Sequence, residues 1–448
     1  MAGITTAGDR STARLRRILG VGFGLAVILG STIGVGILRT PGQVAGGLSA
    51  PWLIVVVWIA GGLYTLLASL CLTELGTMAP QAGGFYVYAR RAFGDWVGFA
   101  VGWTDWVTYC AVLGYVSIGL SEFLGELVPS LAGAARPIAI GVLVGLVVLQ
   151  WAGVRIGRWF QEWTTALKCL AFLALVVAAL VLSGGAHVEP AAAAPLPPLT
   201  LSGLLAALQA VVITFGGWQS ALYFTEEDRD PVRNLPRAMI GGVIAVIIIY
   251  LLVNIALLVL LPVPELAAAK LPAASAAQVI AGTSGRQIIT VLAIVSLLPM
   301  LNAIMMIGTR ILFALGRDRL LWSRTATVNA GGTPGVATLV TTLVAILLIA
   351  TGTFQRLIGM TTYLLAINYA ICCVALVALR RREPMTARPF RAWGYPWSAV
   401  IVVAGALGIM GVGVFEDTLN ASTAMGLLAV GLLGYATSRL VRRTATGG

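Results

Sequence analysis

Two ionisable side chains stand well inside apolar stretches: Lys168 in Thr164-Thr165-Ala166-Leu167-Lys168-Cys169-Leu170, and Asp105 in Gly102-Trp103-Thr104-Asp105-Trp106-Val107-Thr108-Tyr109. A charge at the centre of a hydrocarbon slab costs about 2.5 to 3.5 kcal/mol, so such a group turns to a bundle interior and gains partners. Lys168 is suited either to act as a permanent strut between helices or to exchange a proton. Asp105 is suited to pair a cationic ligand, to carry a proton, to bond nearby hydroxyls, or to sit near headgroups. Backbone chemistry comes from two Gly-rich interruptions, Gly30-Ser31-Thr32-Ile33-Gly34-Val35-Gly36-Ile37 and Phe215-Gly216-Gly217-Trp218. Gly34 and Gly36 relax backbone limits, so N–H groups turn inward at the start of the following half-helix, whose positive dipole end attracts a carboxylate. The competing reading of these glycines is close helix packing alone.

The elements that position these groups span a membrane. The chain has 448 residues, is 59% hydrophobic and only 10% charged, with a mean hydropathy of +0.95; soluble domains carry about 25% charged residues. Stretches long enough to cross, about 20 residues each, lie near 18–38, 51–76, 95–126, 136–153, 162–183, 201–226, 237–261, 286–313, 335–351, 356–379, 397–415 and 421–439, twelve spans in all. Unwound backbone is tolerated at membrane depth only where it lines a cavity or meets a solute. Paired breaks at matching places in two halves of a chain are the mark of a secondary transporter's midplane site. The first ten spans divide into two sets of five, each opening on a broken helix, which implies a five-plus-five inverted repeat. The expected organisation is a cytoplasmic segment 1–17, spans 1–5 over 18–183, an extracytoplasmic loop 184–200 and spans 6–10 over 201–380. A cytoplasmic connection 381–396, spans 11–12 over 397–439 and a cytoplasmic tail 440–448 complete it.

The net charge of +12 follows topology and does not indicate a nucleic-acid partner. With both termini cytoplasmic, only Arg39, Arg136, Lys270, Arg286 and Arg356 fall outside and Lys168 within a span; the other Lys and Arg are cytoplasmic, as the positive-inside rule requires. The five cysteines all fall in spans and imply no disulfide framework. His187, the single histidine, lies in the Ala/Pro-rich external loop, leaving no His relay or metal site, and no cofactor is expected. An embedded enzyme would need convergent catalytic groups that the sequence does not offer. A channel or a nontransporting receptor would need a filter sequence or a sensing domain. The basic leader runs straight into the first span without a small-residue cleavage site, so no cleaved signal is expected.

The chain resembles the amino acid-polyamine-organocation superfamily, in particular its L-type amino acid transporter and bacterial amino acid permease branches. The resemblance rests on the Gly30 to Ile37 break; Glu74-Leu75-Gly76 followed by Pro80-Gln81-Ala82-Gly83-Gly84-Phe85-Tyr86-Val87-Tyr88; Phe215-Gly216-Gly217-Trp218 followed by Glu226-Glu227 and Pro231-Val232-Arg233-Asn234-Leu235-Pro236; Arg310 to Asp318; and Arg388 to Pro396. It implies an all-α integral membrane protein of the leucine-transporter type, with discontinuous helices 1 and 6 and helices 11 and 12 outside the repeat. It implies alternating-access transport of an amino acid or organic amine across an inner membrane without sodium, by proton symport or by exchange. A polyamine or cationic amino acid transporter is the alternative. The expected assembly is a monomer or homodimer in the lipid bilayer.

By the same resemblance the substrate carboxylate sits on the N–H groups of Gly34, Val35 and Gly36, and its amino group on carbonyls around Ile33 and Ile213 to Phe215. Ile213, Thr214, Phe215 and Trp218 line the side-chain pocket, with simple packing the alternative for Trp218. Ile213 departs from the aromatic gate that relatives often carry there. Lys168 takes the place of a sodium ion between helices 1, 5 and 8, and Asp105 is a candidate contact for a cationic substrate. Glu74, Glu226, Glu227 and Arg233 are candidate inner-gate groups provided that they are partly buried, since exposed pairs contribute only about 0 to 1 kcal/mol. Pro299 is expected to kink helix 8, with Asn302 bonding freed backbone or facing Lys168, and Tyr363, Asn368 and Tyr369 are expected at an outer gate.

Overall fold

The computed structural model describes residues 15–48, 50–182, 199–269, 271–351, 354–416 and 418–446. It is helical throughout these residues, in chain order α1 Val21–Thr32, α2 Val35–Gly47, α3 Pro51–Met78, α4 Phe85–Phe93, α5 Asp95–Leu127, α6 Ala135–Trp151, α7 Val154–Leu182, α8 Leu201–Thr214, α9 Pro231–Leu260, α10 Val263–Ala268, α11 Pro272–Arg317, α12 Gly335–Thr351, α13 Phe354–Arg382, α14 Trp397–Glu416 and α15 Thr418–Thr446. Among the described residues nine helical segments are long and apolar enough to cross a membrane, the α1 and α2 pair makes a bent tenth, and α12 and part of α14 are shorter apolar helices. Lys270, His187 and nearly all of the leader lie outside the described residues.

The apolar pattern explains why these elements associate. α5 and α11 are buried along most of their lengths, whereas α7 turns Trp159, Trp163, Leu167, Leu170 and Val181 outward. Outward-facing apolar side chains are the normal surface of a helix in lipid. α9 packs against α1 and α3, α5 packs against α11, α12 and α13, and α11 also contacts α1, α7 and α12.

Among the boundaries that differ from the sequence expectation, two show the physical reason. α7 starts at Val154, eight residues before the expected 162, because Arg155, Arg158 and Glu162 continue the helix beyond the apolar core, with Arg158 and Glu162 paired one turn apart at 2.8 Å. α11 begins at Pro272 and leaves helical angles at Ala281 (φ −133°) and Gly282 (φ +60°), while Pro299 stays inside regular helix. The backbone break of this element is therefore at the glycine, not at the proline. Asn302 donates to the Gly157 carbonyl at 3.3 Å and to Gln161 Oε1 at 2.9 Å, joining α11 to α7.

The turn into α4 shows how a short motif is read by packing. Gly83 and Gly84 both take positive φ (+117° and +56°), and a Cβ at Gly84 would stand 2.3 Å from the Tyr223 ring. A side chain there is excluded both by backbone conformation and by the ring on which α4 is seated.

Candidate functional site

α1 stops at Thr32, and α2 resumes at Val35 with the axis turned by 46°. α8 stops at Thr214, Gly217 takes φ +113°, and a 3-10 turn runs over Trp218–Phe224. A Cβ at Gly217 would meet the Ser31 carbonyl oxygen at 2.6 Å, so the two breaks touch backbone to backbone. Ser31 Oγ contacts the Gly217 carbonyl at 2.9 Å and Ser220 Oγ at 2.7 Å, and Thr40 and Thr214 pair their hydroxyls at 2.7 Å.

Buried carbonyls released by a break must be satisfied from elsewhere. Lys168 Nζ, fully buried, donates to Gly30 O at 2.8 Å and to Ile33 O at 2.5 Å. Tyr250 OH lies 2.7 Å from Thr32 O and 3.2 Å from Thr214 O, tying both breaks to α9. These bonds hold the carbonyls where the chain uncoils.

The breaks border one cavity of about 380 Å³. Ser31, Thr32 and Gly36 line it from the first break, Ile213, Thr214, Gly216, Gly217, Gln219 and Ser220 from the second. Tyr109 of α5 and Tyr369 of α13 close the polar wall. Gln219 Nε2 donates to Tyr109 OH at 3.1 Å, and Tyr369 OH donates to Gln219 Oε1 at 3.1 Å. Gly36 brings the first turn of α2 to the cavity edge, where the N–H groups have no intrahelical acceptor and the helix presents its positive end. An anionic group is favoured there. Among the lining residues Arg39 is the one charged side chain, and it is paired with Glu122 at 3.3 Å.

The structure gathers Gly36, Ile213, Thr214 and Tyr369 on the cavity wall and places Ile33 and Gly34 in the adjoining break. Val35 opens α2 beside them, and a Cβ at Gly34 would stand 2.5 Å from Met300 Sδ. Phe215 turns away into a buried aromatic cluster with Trp58 and Tyr250. Trp218 is buried against Tyr369 at a ring separation of 5.5 Å and does not line the cavity. Asp105 lies outside the wall, accepting from Tyr223 OH at 2.8 Å. Asn368 accepts from Thr104 at 3.1 Å, and Tyr363 is buried in α13, neither of them on the wall.

The four acidic and basic end groups separate by burial. Glu227 and Arg310 form a two-bond pair at 2.9 and 3.1 Å, both fully buried, with the guanidinium over Phe224. Glu226 accepts from Arg317 at 2.6 Å and from the Ala82 N–H at 2.9 Å. Glu74 is also fully buried but is held by Arg380 and by the Ala392 N–H, which fastens α3 to the connection after α13. Arg233 is 77% exposed and 3.7 Å from Asp230, outside any buried network. Two backbone bonds, Leu19 N–H to Glu227 O at 3.0 Å and Arg229 N–H to Leu19 O at 3.1 Å, close the same end of the molecule. Arg39, Thr40, Gln43, Ala206 and Gln209 also line the cavity.

Several residues of the site were not singled out by sequence reasoning. Ser31 and Ser220 sit in or just after the breaks, so proximity to the glycines was an available signal. Tyr250 sits in an uninterrupted apolar run, Ile247-Ile248-Ile249-Tyr250-Leu251-Leu252, and carries no such signal.

A family model described as amino acid permease matches residues 24–434. Among curated relatives, the serine/threonine exchanger SteT of Bacillus subtilis is 27% identical over 426 residues, covering 94% of this chain and 96% of the relative. The large neutral amino acids transporter small subunit 2 of Oryctolagus cuniculus is 28% identical over 426 residues, covering 89% and 79%. The Asc-type amino acid transporter 1 of Mus musculus is 28% identical over 388 residues, covering 84% and 73%.

Proposed function

The chain belongs to the amino acid permease family, and from that premise we propose that it exchanges neutral amino acids across the membrane by alternating access without sodium. The observation that carries this reading is the single cavity bordered by both breaks, with Lys168 bonded to two carbonyls of the first. A zwitterion fits it at both ends: its carboxylate at the first turn of α2, its amino group at carbonyls of the second break around Ile213 to Phe215. The ammonium of Lys168 supplies the positive charge that a bound sodium ion would otherwise bring to the Gly30 and Ile33 carbonyls of the first break.

Neutral side chains are favoured over cationic ones because no carboxylate faces the cavity among its lining residues, Asp105 being turned to Tyr223. Exchange is the mode that the Bacillus subtilis relative is named for. Twelve spans in an inverted five-plus-five repeat, both termini cytoplasmic in an inner membrane, and a monomer or homodimer complete the proposal. With that orientation the described conformation is open outward and closed inward by Glu227, Arg310, Glu226 and Arg317.

The test uses proteoliposomes preloaded with unlabelled serine or leucine, at equal pH on both sides, with external sodium replaced by choline. Labelled amino acid should enter, entry should require the internal load, and excess lysine or putrescine should compete poorly. Uptake that vanishes without sodium, or that lysine blocks as well as serine does, overturns the reading.

A further inference from the structure

We propose that Asp105 is a proton-binding site, loaded while the cavity faces outward and emptied when the inner end opens, so that a proton accompanies the substrate. The proposal rests on the alternating-access reading above and adds an ion to it.

Asp105 is fully buried in the middle of the structure, on the apolar helix α5. Its Oδ2 accepts one bond, from Tyr223 OH at 2.8 Å, and its Oδ1 has no hydrogen-bond partner among the described residues. The titratable groups facing it are Tyr223 of the 3-10 turn, Tyr109 of its own helix, and Tyr369 and Cys372 of α13; among the described residues no Lys or Arg pairs with it. An ionised carboxylate has about four lone-pair sites to satisfy, and burying one with a single donor and no cation is strongly unfavourable. The neutral acid is the form that this pocket accommodates.

Position supplies the coupling. Tyr223 belongs to Trp218–Phe224, the segment that leaves the second break, and four residues before it Gln219 is bonded to Tyr109 and Tyr369 on the cavity wall. Three residues after Phe224, Glu227 enters the buried pair with Arg310 that seals the inner end. A shift of this one segment therefore reaches substrate wall, acid and seal together. When the seal opens, Tyr223 withdraws and water reaches Asp105; hydration then favours the carboxylate, and the proton leaves to that side. Outward return restores the dry pocket and requires a proton again, taken from the outer solution.

The test places a pH-sensitive dye inside proteoliposomes at slightly alkaline internal pH. With the lumen preloaded with the same unlabelled amino acid, as exchange requires, addition of external serine or leucine should acidify the lumen by one proton for each substrate exchanged. Asp105→Asn keeps an acceptor for Tyr223 but holds no exchangeable proton; it should abolish the acidification and make exchange independent of pH. Tyr223→Phe removes the donor and leaves the acid, so acidification should persist with a displaced pH midpoint. Acidification that survives in Asp105→Asn puts the proton on another group and overturns the proposal. So does acidification lost in Tyr223→Phe, or exchange by the wild type that neither responds to pH nor moves protons. Exchange at equal pH with sodium absent reads the parent proposal separately and is unaffected by those failures.

Discussion

Replacing Lys168 by alanine tests the central geometry of the site. Nζ makes two charge-assisted bonds, to Gly30 O and Ile33 O, in a fully buried position. Each such bond contributes about 1.5 to 3 kcal/mol, and leaving a buried carbonyl without its donor is itself costly. Counting only the lower value for both bonds, the ordered break loses about 3 kcal/mol relative to alternatives in which the segment refolds or hydrates. At 1.36 kcal/mol per decade this is a loss of about a hundredfold in the population of the binding-competent conformation, and apparent affinity falls by the same factor. The assay is thermal stabilisation of purified protein by serine or leucine, titrated over four decades of concentration, alongside sodium-free counterflow. The wild type should show a saturable rise in melting temperature, since a ligand that binds only the folded state stabilises it by mass action. Lys168→Ala should need about a hundredfold more amino acid for the same rise. A variant that binds with wild-type affinity and still exchanges without sodium would show that the ammonium does not hold the first break open, and the argument for sodium independence would fail with it.

Further outcomes follow from the same contacts. Gly36→Ala brings a methyl to 2.8 Å from Thr214 Cγ2, so exchange should fall at least about tenfold, the equivalent of one such misfit of about 1.4 kcal/mol; adding Thr214→Ser, which removes that Cγ2, should restore part of the rate. Tyr250→Phe removes the hydroxyl shared by Thr32 O and Thr214 O, and substrate affinity in the same thermal titration should weaken by about 1 to 3 kcal/mol. At the α4 end, Arg91 beside Glu383 holds that carboxyl below the usual carboxylate range. Because the folded value is the depressed one, the pair stabilises the protein above the ordinary carboxylate pKa and ceases to do so as pH falls through the folded value. The difference in melting temperature between wild type and Glu383→Gln should therefore be small, present at neutral pH and absent in acid; a difference that grows on acidification would contradict the assignment.

The sequence by itself determined where the chain uncoils. Gly34 and Gly36, and Gly216 and Gly217, interrupt apolar runs, and a helix in lipid gives up its ladder only where other donors and acceptors take over, so the breaks and a shared cavity were legible without coordinates. Lys168 was legible for the same reason, since a lone ammonium in an apolar run must find acceptors. Which side chains reach the cavity was decided by tertiary structure alone. Phe215 and Trp218 adjoin the second break in sequence, yet the turn at Gly217 rotates them into aromatic packing with Trp58, Tyr250 and Tyr369, while Gln219 and Ser220 face the cavity. Asp105 is presented by α5 to Tyr223 and not to the cavity, because the rotation of a long helix is fixed by contacts along its whole length rather than by one residue. Glu74, Glu227 and Arg233 look alike in sequence as charges at helix ends, but one fastens the connection after α13, one is paired with Arg310 in the buried interior and one is solvated. Burial depends on residues hundreds of positions away, and no local pattern contains it.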